Sequence, residues 1–238
     1  MVIGLIADTH WGFNAEHNKL VREMLTELSK RQPNIILHSG DIGSHRPKQG
    51  REFWKTYRSI PGLETIPTVA VLGNHDYWHK TLMTARSIHQ DSASAYNINL
   101  LEGTGYIFND CLITGTCGWY HNIDHKSTDA QYIIDYNYYE FRNHATRNFQ
   151  KCLSLANESN TKTKILLTHF NFIDVDENDN MKMFENPRHE NFIQDFNYIV
   201  SGHRHETWHG IACGPDKKQK YYNCGSNYNQ PRYLVIEI

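Results

Sequence analysis

Three short apolar runs in the first 72 residues, each followed by polar side chains, constrain the fold more than any other feature of this sequence. The runs are residues 2–7, 34–38 and 66–72. Segments with helical spacing separate them, at residues 15–31 and 48–58. Strands that alternate with helices in this way are typical of a βαβαβ unit, in which the strands are parallel and the crossovers right-handed. We therefore predict an α/β fold built on a parallel sheet.

The ends of five predicted strands carry side chains that can bind a metal ion or exchange a proton. The first three strands run into Asp8-Thr9-His10, Gly40-Asp41 and Gly73-Asn74-His75-Asp76, and two later apolar runs, 164–168 and 196–200, run into His169 and Gly202-His203-Arg204-His205. In open α/β sheets, ligands bind in the crevice outside the carboxyl ends of the strands. We therefore expect these side chains to converge on one crevice.

The stretch Gly73-Asn74-His75-Asp76 places three kinds of functional group side by side. Gly73 lets the backbone turn tightly and leaves room for a ligand. Asn74 offers a carbonyl oxygen to a cation, His75 exchanges a proton near neutral pH, and Asp76 can orient that histidine. An ordinary polar turn is the alternative interpretation of this stretch alone, because Asn, Asp and Gly are common turn residues. The matching chemistry at four other strand ends favours a functional site.

The pattern changes after about residue 96, where short apolar runs with tight connections indicate a mixed sheet. Asn109-Asp110, between two such runs, is typical of a hairpin turn. The remaining predicted strands are residues 96–100, 105–109, 111–115, 207–213, 219–223 and 233–238, and the remaining predicted helices are 77–91, 137–157 and a short one at 188–194. Residues 117–136 are predicted to form a cap loop and residues 171–186 an acidic loop. No linker divides the chain, so we predict one domain over residues 1–238.

Composition narrows the class of protein and its compartment. Hydrophobic residues make up 39% and charged residues 21% of the 238 residues, which fits a soluble globular protein. The net charge of −2 argues against a long nucleic-acid partner, which would need a basic track. The five cysteines have irregular spacing, so a disulfide framework or a thiolate zinc site is not expected. Free thiols and the lack of a membrane-length apolar run predict a cytoplasmic protein with no membrane partner.

The residues at the strand ends are all oxygen or imidazole donors, with no thiolate among them. Such donors suit Mn²⁺, Fe, Zn²⁺, Ni²⁺ or Co²⁺. Seven candidate ligands are too many for one ion and fit two ions that share a carboxylate. Two metals about 3.5–4 Å apart are a known arrangement for phosphoester hydrolysis. The candidate ligands are Asp8, His10, Asp41, Asn74, His169, His203 and His205.

Taken in chain order, these motifs resemble the signature of the calcineurin-like metallophosphoesterases. That signature runs D-x-H, G-D, G-N-H-[D/E], a lone His after a strand, and G-H-x-H, and the resemblance spans nearly the whole chain. It implies a four-layer α/β-β/α sandwich, in which two mixed sheets lie face to face with helices outside. It also implies a dinuclear enzyme that hydrolyses phosphodiesters or small phosphorylated metabolites, by attack of a metal-bridging hydroxide on phosphorus.

The resemblance also implies a role for each motif residue. One metal is held by Asp8, His10 and His205, the other by Asn74, His169 and His203, and Asp41 bridges the two. His75 contacts the phosphate and protonates the leaving oxygen, with Asp76 as its orienting partner. Asn74 also faces the substrate, and Arg204 is either a phosphate contact or a surface arginine. Two divalent ions are expected, with Mn²⁺ first among the candidates.

Finer features indicate a branch of the family and leave alternatives open. The tail Asn223-Cys224-Gly225-Ser226 resembles the N-P-G-S segment of small bacterial phosphodiesterase-type members, with Cys224 in place of proline. Ser44 stands where protein serine/threonine phosphatases and purple acid phosphatases carry other residues. A non-catalytic metal-binding scaffold and a nuclease remain alternatives. The aromatic candidates for a crevice wall, each of which can instead be a packed residue, are Trp11, Phe13, Trp78, Trp119, Tyr120 and His121.

Overall fold

Two mixed β-sheets pack face to face, with helices against their outer surfaces. The structure, a computed structural model, describes residues 1–44, 46, 48–118, 138–171, 173–175, 181–183, 194–213, 216 and 218–238. The first sheet has the strand order β13-β1-β2-β3-β4. Its strands are β1 Val2–Ile6, β2 Ile35–Ser39, β3 Thr68–Val71, β4 Ile98–Leu100 and β13 Leu234–Glu237. The pairs β1–β2, β2–β3 and β3–β4 are parallel, which confirms the predicted parallel unit, and β13 joins β1 antiparallel.

The second sheet has six strands in the order β11-β12-β10-β7-β6-β5. The strands are β5 Thr104–Phe108, β6 Cys111–Thr116, β7 Thr163–Thr168, β10 Tyr198–Ser201, β11 Thr207–Cys213 and β12 Gln219–Cys224. Four neighbouring strands, β6, β7, β10 and β12, are parallel, whereas the edge strands β5 and β11 pair antiparallel. The hairpin predicted at Asn109-Asp110 is confirmed by the Phe108–Cys111 pair that closes it.

The helices within the described ranges are α1 Ala15–Lys30, α2 Gln49–Arg58, α3 Asn74–Tyr77, α4 Leu82–Ser94 and α5 Tyr138–Glu158. The prediction of a single helix over residues 77–91 places the start of the helix at the wrong residue. The short helix α3 ends at Tyr77, Trp78 leaves the helical conformation with ψ 141°, and Thr81 begins α4 by accepting a hydrogen bond from the Thr84 N–H. The local reason is the N-cap preference of threonine, which sets a new helix start.

Three separate groups of buried side chains hold the layers together. The faces of the two sheets enclose an apolar layer that includes Leu5, Val69, Ile113 and Leu167. The outer face of the first sheet packs against α1, α2 and α4, and the outer face of the second packs against α5. This order of helices, sheet, sheet and helix is the predicted four-layer α/β-β/α sandwich, which the structure confirms.

The segment predicted as an acidic loop, residues 171–186, contains two short strands. β8 Ile173–Val175 and β9 Met181–Met183 pair antiparallel. Two other predictions fall on segments outside the described residues. They are the cap loop 117–136, of which only Cys117 and Gly118 are described, and the helix 188–194, of which only the last residue is described.

No helix in the described part of the chain is apolar over a length that could cross a bilayer. All five cysteines are buried free thiols.

Candidate metal centre

The seven predicted ligands come together at one end of the two sheets. They follow the carboxyl ends of β1, β2 and β3 in the first sheet and of β7 and β10 in the second. Because the two sheets face each other, loops from both reach the same place. The contributions are Asp8 and His10 after β1, Asp41 after β2, Asn74 after β3, His169 after β7, and His203 and His205 after β10.

One group of candidate ligands consists of Asp8, His10 and His205. Their ligand atoms all lie within 4.8 Å of one another. His10 Nε2 and His205 Nε2 are 3.1 Å apart. Asp8 and His10 are fully buried. These three residues are the set that the family resemblance assigns to one metal.

A second group consists of Asn74, His169 and His203. Asn74 Oδ1 lies 2.8 Å from His169 Nε2 and 3.2 Å from His203 Nδ1. The two imidazole nitrogens are themselves 3.3 Å apart. One amide oxygen and two ring nitrogens therefore meet at a single point, which is the donor set assigned by resemblance to the other metal.

Asp41 lies between the two groups. Its Oδ2 is 3.7 Å from His10 Nε2 and 3.5 Å from His169 Nε2. Its Oδ1 accepts a hydrogen bond of 2.9 Å from the backbone N–H of His75. This bond fixes the carboxylate with one oxygen directed at both groups. Asp41 Oδ2 therefore lies within 3.7 Å of an imidazole nitrogen in each group.

The backbone at these ligands is strained in a consistent way. A positive φ is uncommon outside glycine and costs roughly 1–3 kcal/mol at a residue with a side chain. Such angles tend to occur at functional sites, where the surrounding structure holds them. Five candidate ligands have positive φ: Asp8 at 51°, His10 at 36°, Asp41 at 54°, His203 at 70° and His205 at 49°.

Gly73 is required because the segment between β3 and α3 passes close to Asp41. A Cβ atom at Gly73 would lie 2.1 Å from Asp41 Oδ1 and 2.4 Å from the Asp41 amide nitrogen. Any side chain there would push the carboxylate out of its position between the two groups. The room that the sequence predicted beside Gly73 is therefore filled by a candidate ligand.

Burial keeps the four candidate histidine ligands neutral. Loss of solvent lowers the pKa of His10 and His169 well below the usual range, with neighbouring histidines adding to the effect. The same causes lower the pKa of His203 to about 3 and that of His205 to about 4. Neutral imidazoles present lone pairs, and here those lone pairs face each other and two carboxylates. Such a donor set fits divalent cations, because a cation neutralises the convergent lone pairs and charges.

Asp8 responds to the same burial in the opposite direction. Desolvation raises the pKa of Asp8 to about 8, although the backbone N–H groups of His203 and Ser226 oppose the shift. These N–H groups donate to Asp8 Oδ1 at 3.1 Å and to Oδ2 at 3.3 Å. Without a metal, the carboxyl therefore holds a proton at neutral pH.

Adding Mn²⁺ to metal-free protein is expected to release about one proton per molecule from Asp8 at pH 7. Asp8, with a pKa of about 8, is protonated there and must lose its proton to bind a cation. The four histidines have lowered pKa values and have no proton to lose at pH 7. As the pH rises through 8, Asp8 ionises before the metal arrives, so the share of the release that comes from Asp8 falls. Calorimetric titrations in two buffers of different ionisation enthalpy measure the total release, to which a water molecule acidified by the metal would add its own proton. A release clearly below about one proton at pH 6.5, where Asp8 is protonated, would contradict the assignment.

His75 is oriented by a backbone carbonyl and a neighbouring ring. Its Nδ1 donates to Ser44 O at 2.9 Å, because a carbonyl oxygen can only accept. Its Nε2 lies 3.9 Å from Asp41 Oδ2. The Trp78 ring stacks on the imidazole, with centroids 3.6 Å apart and planes at 29°. His75 therefore presents Nε2 to the site from a fixed position.

The prediction that Asp76 orients His75 is wrong. The Asp76 carboxylate accepts hydrogen bonds from the backbone N–H groups of Gly73 at 2.9 Å and of Ile42 and Gly43 at 3.2 Å. The physical reason is the short helix α3, because consecutive residues of a helix project in different directions. Asp76 therefore ties the loops after β2 and β3 together.

Replacing Asp76 by asparagine is expected to lower the free energy of unfolding by about 2–3 kcal/mol. The carboxylate is 1% exposed and accepts three backbone N–H groups, so an amide would lose charge and turn an NH₂ donor toward other donors. Urea denaturation measures the change. The control is Asp91→Asn on the exposed surface of α4, which should change stability by less than about 0.5 kcal/mol. Equal stability of the two variants would contradict this role.

The predicted tail motif also has a structural role. The backbone N–H of Ser226 donates to Asp8. The tail also packs against the loop after β10, because a Cβ at Gly225 would lie 2.8 Å from the amide nitrogen of His205. Cys224, which stands in place of proline, has its Sγ 3.1 Å from Ser201 O.

Arg204 lies between two candidate ligands, and its backbone N–H donates to Gly202 O at 2.9 Å. Phosphate binding by its side chain stays a prediction.

The aromatic candidates divide into different environments. Trp11 is buried and packs edge-on against Phe53, so it belongs to the core. Trp78 contacts His75, and Phe13 is half exposed. Trp119, Tyr120 and His121 lie outside the described residues. Sequence reasoning missed Tyr228, whose ring stacks on His10 with centroids 4.7 Å apart. Its only sequence signal is its position two residues after the tail motif.

Comparisons with known proteins bear on the family and on the fold. A family model described as calcineurin-like phosphoesterase matches residues 1–207. The crystal structure of TT1561 of Thermus thermophilus superposes with a TM-score of 0.61 at 12% identity, over 96% of this chain and 90% of that one. GAP50, the anchor in the inner membrane complex of Plasmodium, superposes with a TM-score of 0.56 at 14% identity, over 94% and 71% of the two chains. A search of curated proteins finds no match.

Proposed function

Since the chain belongs to the calcineurin-like phosphoesterase family, we propose that it is a metal-dependent hydrolase of phosphodiesters or small phosphorylated metabolites. One observation carries the proposal. Asp41 Oδ2 lies 3.5–3.9 Å from imidazole nitrogens of three histidines, His10, His75 and His169, that come from three different strand ends. A buried carboxylate among three imidazoles is an arrangement for holding cations beside a proton donor.

The donor set supports two divalent ions. Asp8, His10 and His205 would hold one ion, Asn74, His169 and His203 the other, and Asp41 would contact both. When bound, such ions supply Lewis-acid chemistry: they acidify a water molecule and offset charge on the phosphoryl oxygens. Mn²⁺ is the first candidate, and Fe, Zn²⁺, Ni²⁺ and Co²⁺ suit the same donors.

His75 supplies the proton in this proposal. The bond from Nδ1 to Ser44 O keeps a proton on that nitrogen, so the second proton of the imidazolium sits on Nε2, facing the site. Donation from Nε2 to the leaving oxygen prevents an alkoxide from building up as the ester bond breaks. The stacked Trp78 ring limits rotation of the imidazole and keeps Nε2 directed at Asp41. Asn74 and Arg204 are the candidates for contact with the phosphate oxygens.

The proposed substrate is small, and the proposed compartment is the cytoplasm. A nuclease that acts on long nucleic acids would need a basic surface, and the net charge of −2 does not favour one. We therefore favour a small phosphodiester over a long nucleic acid as the substrate. The five buried free thiols support a reducing compartment. No membrane partner is proposed.

A non-catalytic scaffold is the alternative of a different class. GAP50, which has the same fold, is named as an anchor, but at 14% identity the likeness concerns the fold alone. A scaffold has no need of a proton donor held toward buried ligands. The fixed orientation of His75 beside Asp41 therefore favours catalysis.

The test is hydrolysis by metal-stripped protein after addition of Mn²⁺, Ni²⁺ or Zn²⁺ in turn. The substrates are bis(p-nitrophenyl) phosphate and p-nitrophenyl phosphate, which release the same chromophore from a diester and a monoester. We expect no turnover without metal and restored turnover with metal, faster for the diester. Faster cleavage of the monoester would indicate a metabolite phosphatase. Two bound ions without turnover of either ester would support the scaffold, and absence of metal binding would overturn the proposal.

A further inference from the structure

An aromatic pair borders the candidate metal centre and has no part in the chemistry proposed above. Its inner member, Tyr228, lies in the segment after β12. The Tyr228 ring stacks on His10 with centroids 4.7 Å apart and planes at 30°, and it meets His205 edge-on at 5.1 Å. Tyr228 therefore covers two candidate ligands of one metal from the outside.

The outer member of the pair is Phe13, which packs against Tyr228 with ring centroids 4.5 Å apart. Phe13 is 50% exposed, one of few large apolar side chains exposed in the described part of the chain. A single exposed apolar side chain needs no explanation. This one continues a row of rings that starts at a candidate metal ligand, so the row leads from the metal centre to solvent.

The pair is held in place by His17. One ring nitrogen of His17 lies 2.8 Å from Thr9 O, beside the first two candidate ligands, and the other lies 2.7 Å from Tyr228 O. The Phe13 N–H donates to His10 O at 3.0 Å. Both rings are thus attached through short backbone contacts to the loop that carries Asp8 and His10. A preformed pair loses little conformational entropy when a ligand stacks on it.

We propose that Phe13 and Tyr228 form a subsite for the planar base of a nucleoside phosphoester whose phosphate lies at the metal centre. This inference rests on the proposed function and names its substrate class. A base attached through a sugar reaches beyond the phosphate along the row of rings. An exposed aromatic face stabilises a base by stacking, whichever base it is. The net charge of −2 and the lack of a basic track limit the substrate to a nucleotide or a short oligonucleotide.

The subsite is tested with two diesters that share one leaving group, thymidine 5′-(p-nitrophenyl phosphate) and methyl p-nitrophenyl phosphate. The readout is the ratio of kcat/KM for the thymidine ester to that for the methyl ester. We expect this ratio to fall about tenfold in Phe13→Ala, mainly through KM, and to be kept in Phe13→Trp. Ile107→Ala on β5 is the control, because Ile107 is 63% exposed on another part of the surface and its loss should leave the ratio unchanged.

The outcomes separate the subsite from the proposed function. If the wild-type protein shows no preference for the thymidine ester, or if Phe13→Ala keeps the preference, the subsite is wrong. A p-nitrophenyl ester of phosphocholine that is preferred over the thymidine ester would also overturn it, because aromatic rings bind quaternary ammonium groups as well. If neither ester is cleaved, binding of thymidine 5′-monophosphate is measured by calorimetry with Mn²⁺ present. Weaker binding in Phe13→Ala would then support the subsite although diester hydrolysis is absent, and equal binding would overturn the subsite.

Discussion

The variant His75→Asn is expected to lose about 10²–10⁴-fold in kcat while it still binds two metal ions. The asparagine amide can replace Nδ1 as the donor to Ser44 O, so the backbone contact is kept. It has no proton to give from the position of Nε2, which lies 3.9 Å from Asp41 Oδ2. The loss should therefore fall on the chemical step rather than on metal content. Turnover and metal content of the same sample are the two measurements.

The leaving group distinguishes a general acid from a residue with a structural role. An alkyl alcohol is a poor leaving group and needs the proton, whereas p-nitrophenolate leaves readily without one. We expect His75→Asn to reduce cleavage of an alkyl ester more than cleavage of a p-nitrophenyl ester. The matched control is His79→Asn, an exposed histidine whose positive φ of 58° asparagine tolerates. Equal losses for both esters would mean that His75 does not donate the proton.

The variant Asp41→Asn is expected to bind fewer than two metal ions per protein molecule. Its kcat/KM is expected to fall by about 10³-fold or more. The amide keeps an oxygen that can accept the His75 N–H but removes the charge that faces His10 and His169. Both candidate groups then lose a shared anionic ligand. Mass spectrometry of metals in the purified protein and kinetics at saturating Mn²⁺ measure the two effects.

Asp91→Asn serves again as the control, because it makes the same chemical change on the exposed surface of α4. It should keep both the metal content and kcat/KM of the wild-type protein. Retention of two tightly bound ions and full activity in Asp41→Asn would show that Asp41 is not shared between the ions. Loss of folding would appear as a changed circular dichroism spectrum, and metal titration of the folded fraction would still decide the point.

Much of this fold could be predicted because the strands that lead into the site are marked twice in the sequence. Each is an apolar run, and each ends at a polar motif. Buried parallel strands appear as continuous apolar runs, and each run that leads into the site stops at a polar motif. β1, β2 and β3 are recognisable for this reason, whereas the hairpin between β5 and β6 is recognisable from Asn109-Asp110 between two apolar runs. The mixed second sheet followed from its short runs and tight turns. The order of the motifs, rather than any one of them, predicted which residues would meet.

Among the features that escaped prediction, one has a local cause and two have tertiary causes. The start of α4 depends on the cap at Thr81, which apolar periodicity does not reveal. The role of Asp76 depends on the course of α3, which turns its carboxylate toward the amides of Ile42 and Gly43. Tyr228 reaches the site from more than 200 residues along the chain, and no motif of its own marks it. The contacts of Asp76 and Tyr228 are set by tertiary geometry that no short window of sequence contains.

The left-handed backbone at five candidate ligands restricts how this site can change during evolution. Asp, Asn and His are the side chains that tolerate positive φ best after glycine, and they are also good metal donors. A mutation at Asp8, His10 or Asp41 that replaces the ligand with a β-branched residue therefore disrupts the coordination and the local fold together. Neutral drift at these positions is confined to a few residue types, most of which still bind metals. Loss of activity in a descendant of this protein would more easily begin at His75, whose φ is not among the positive values.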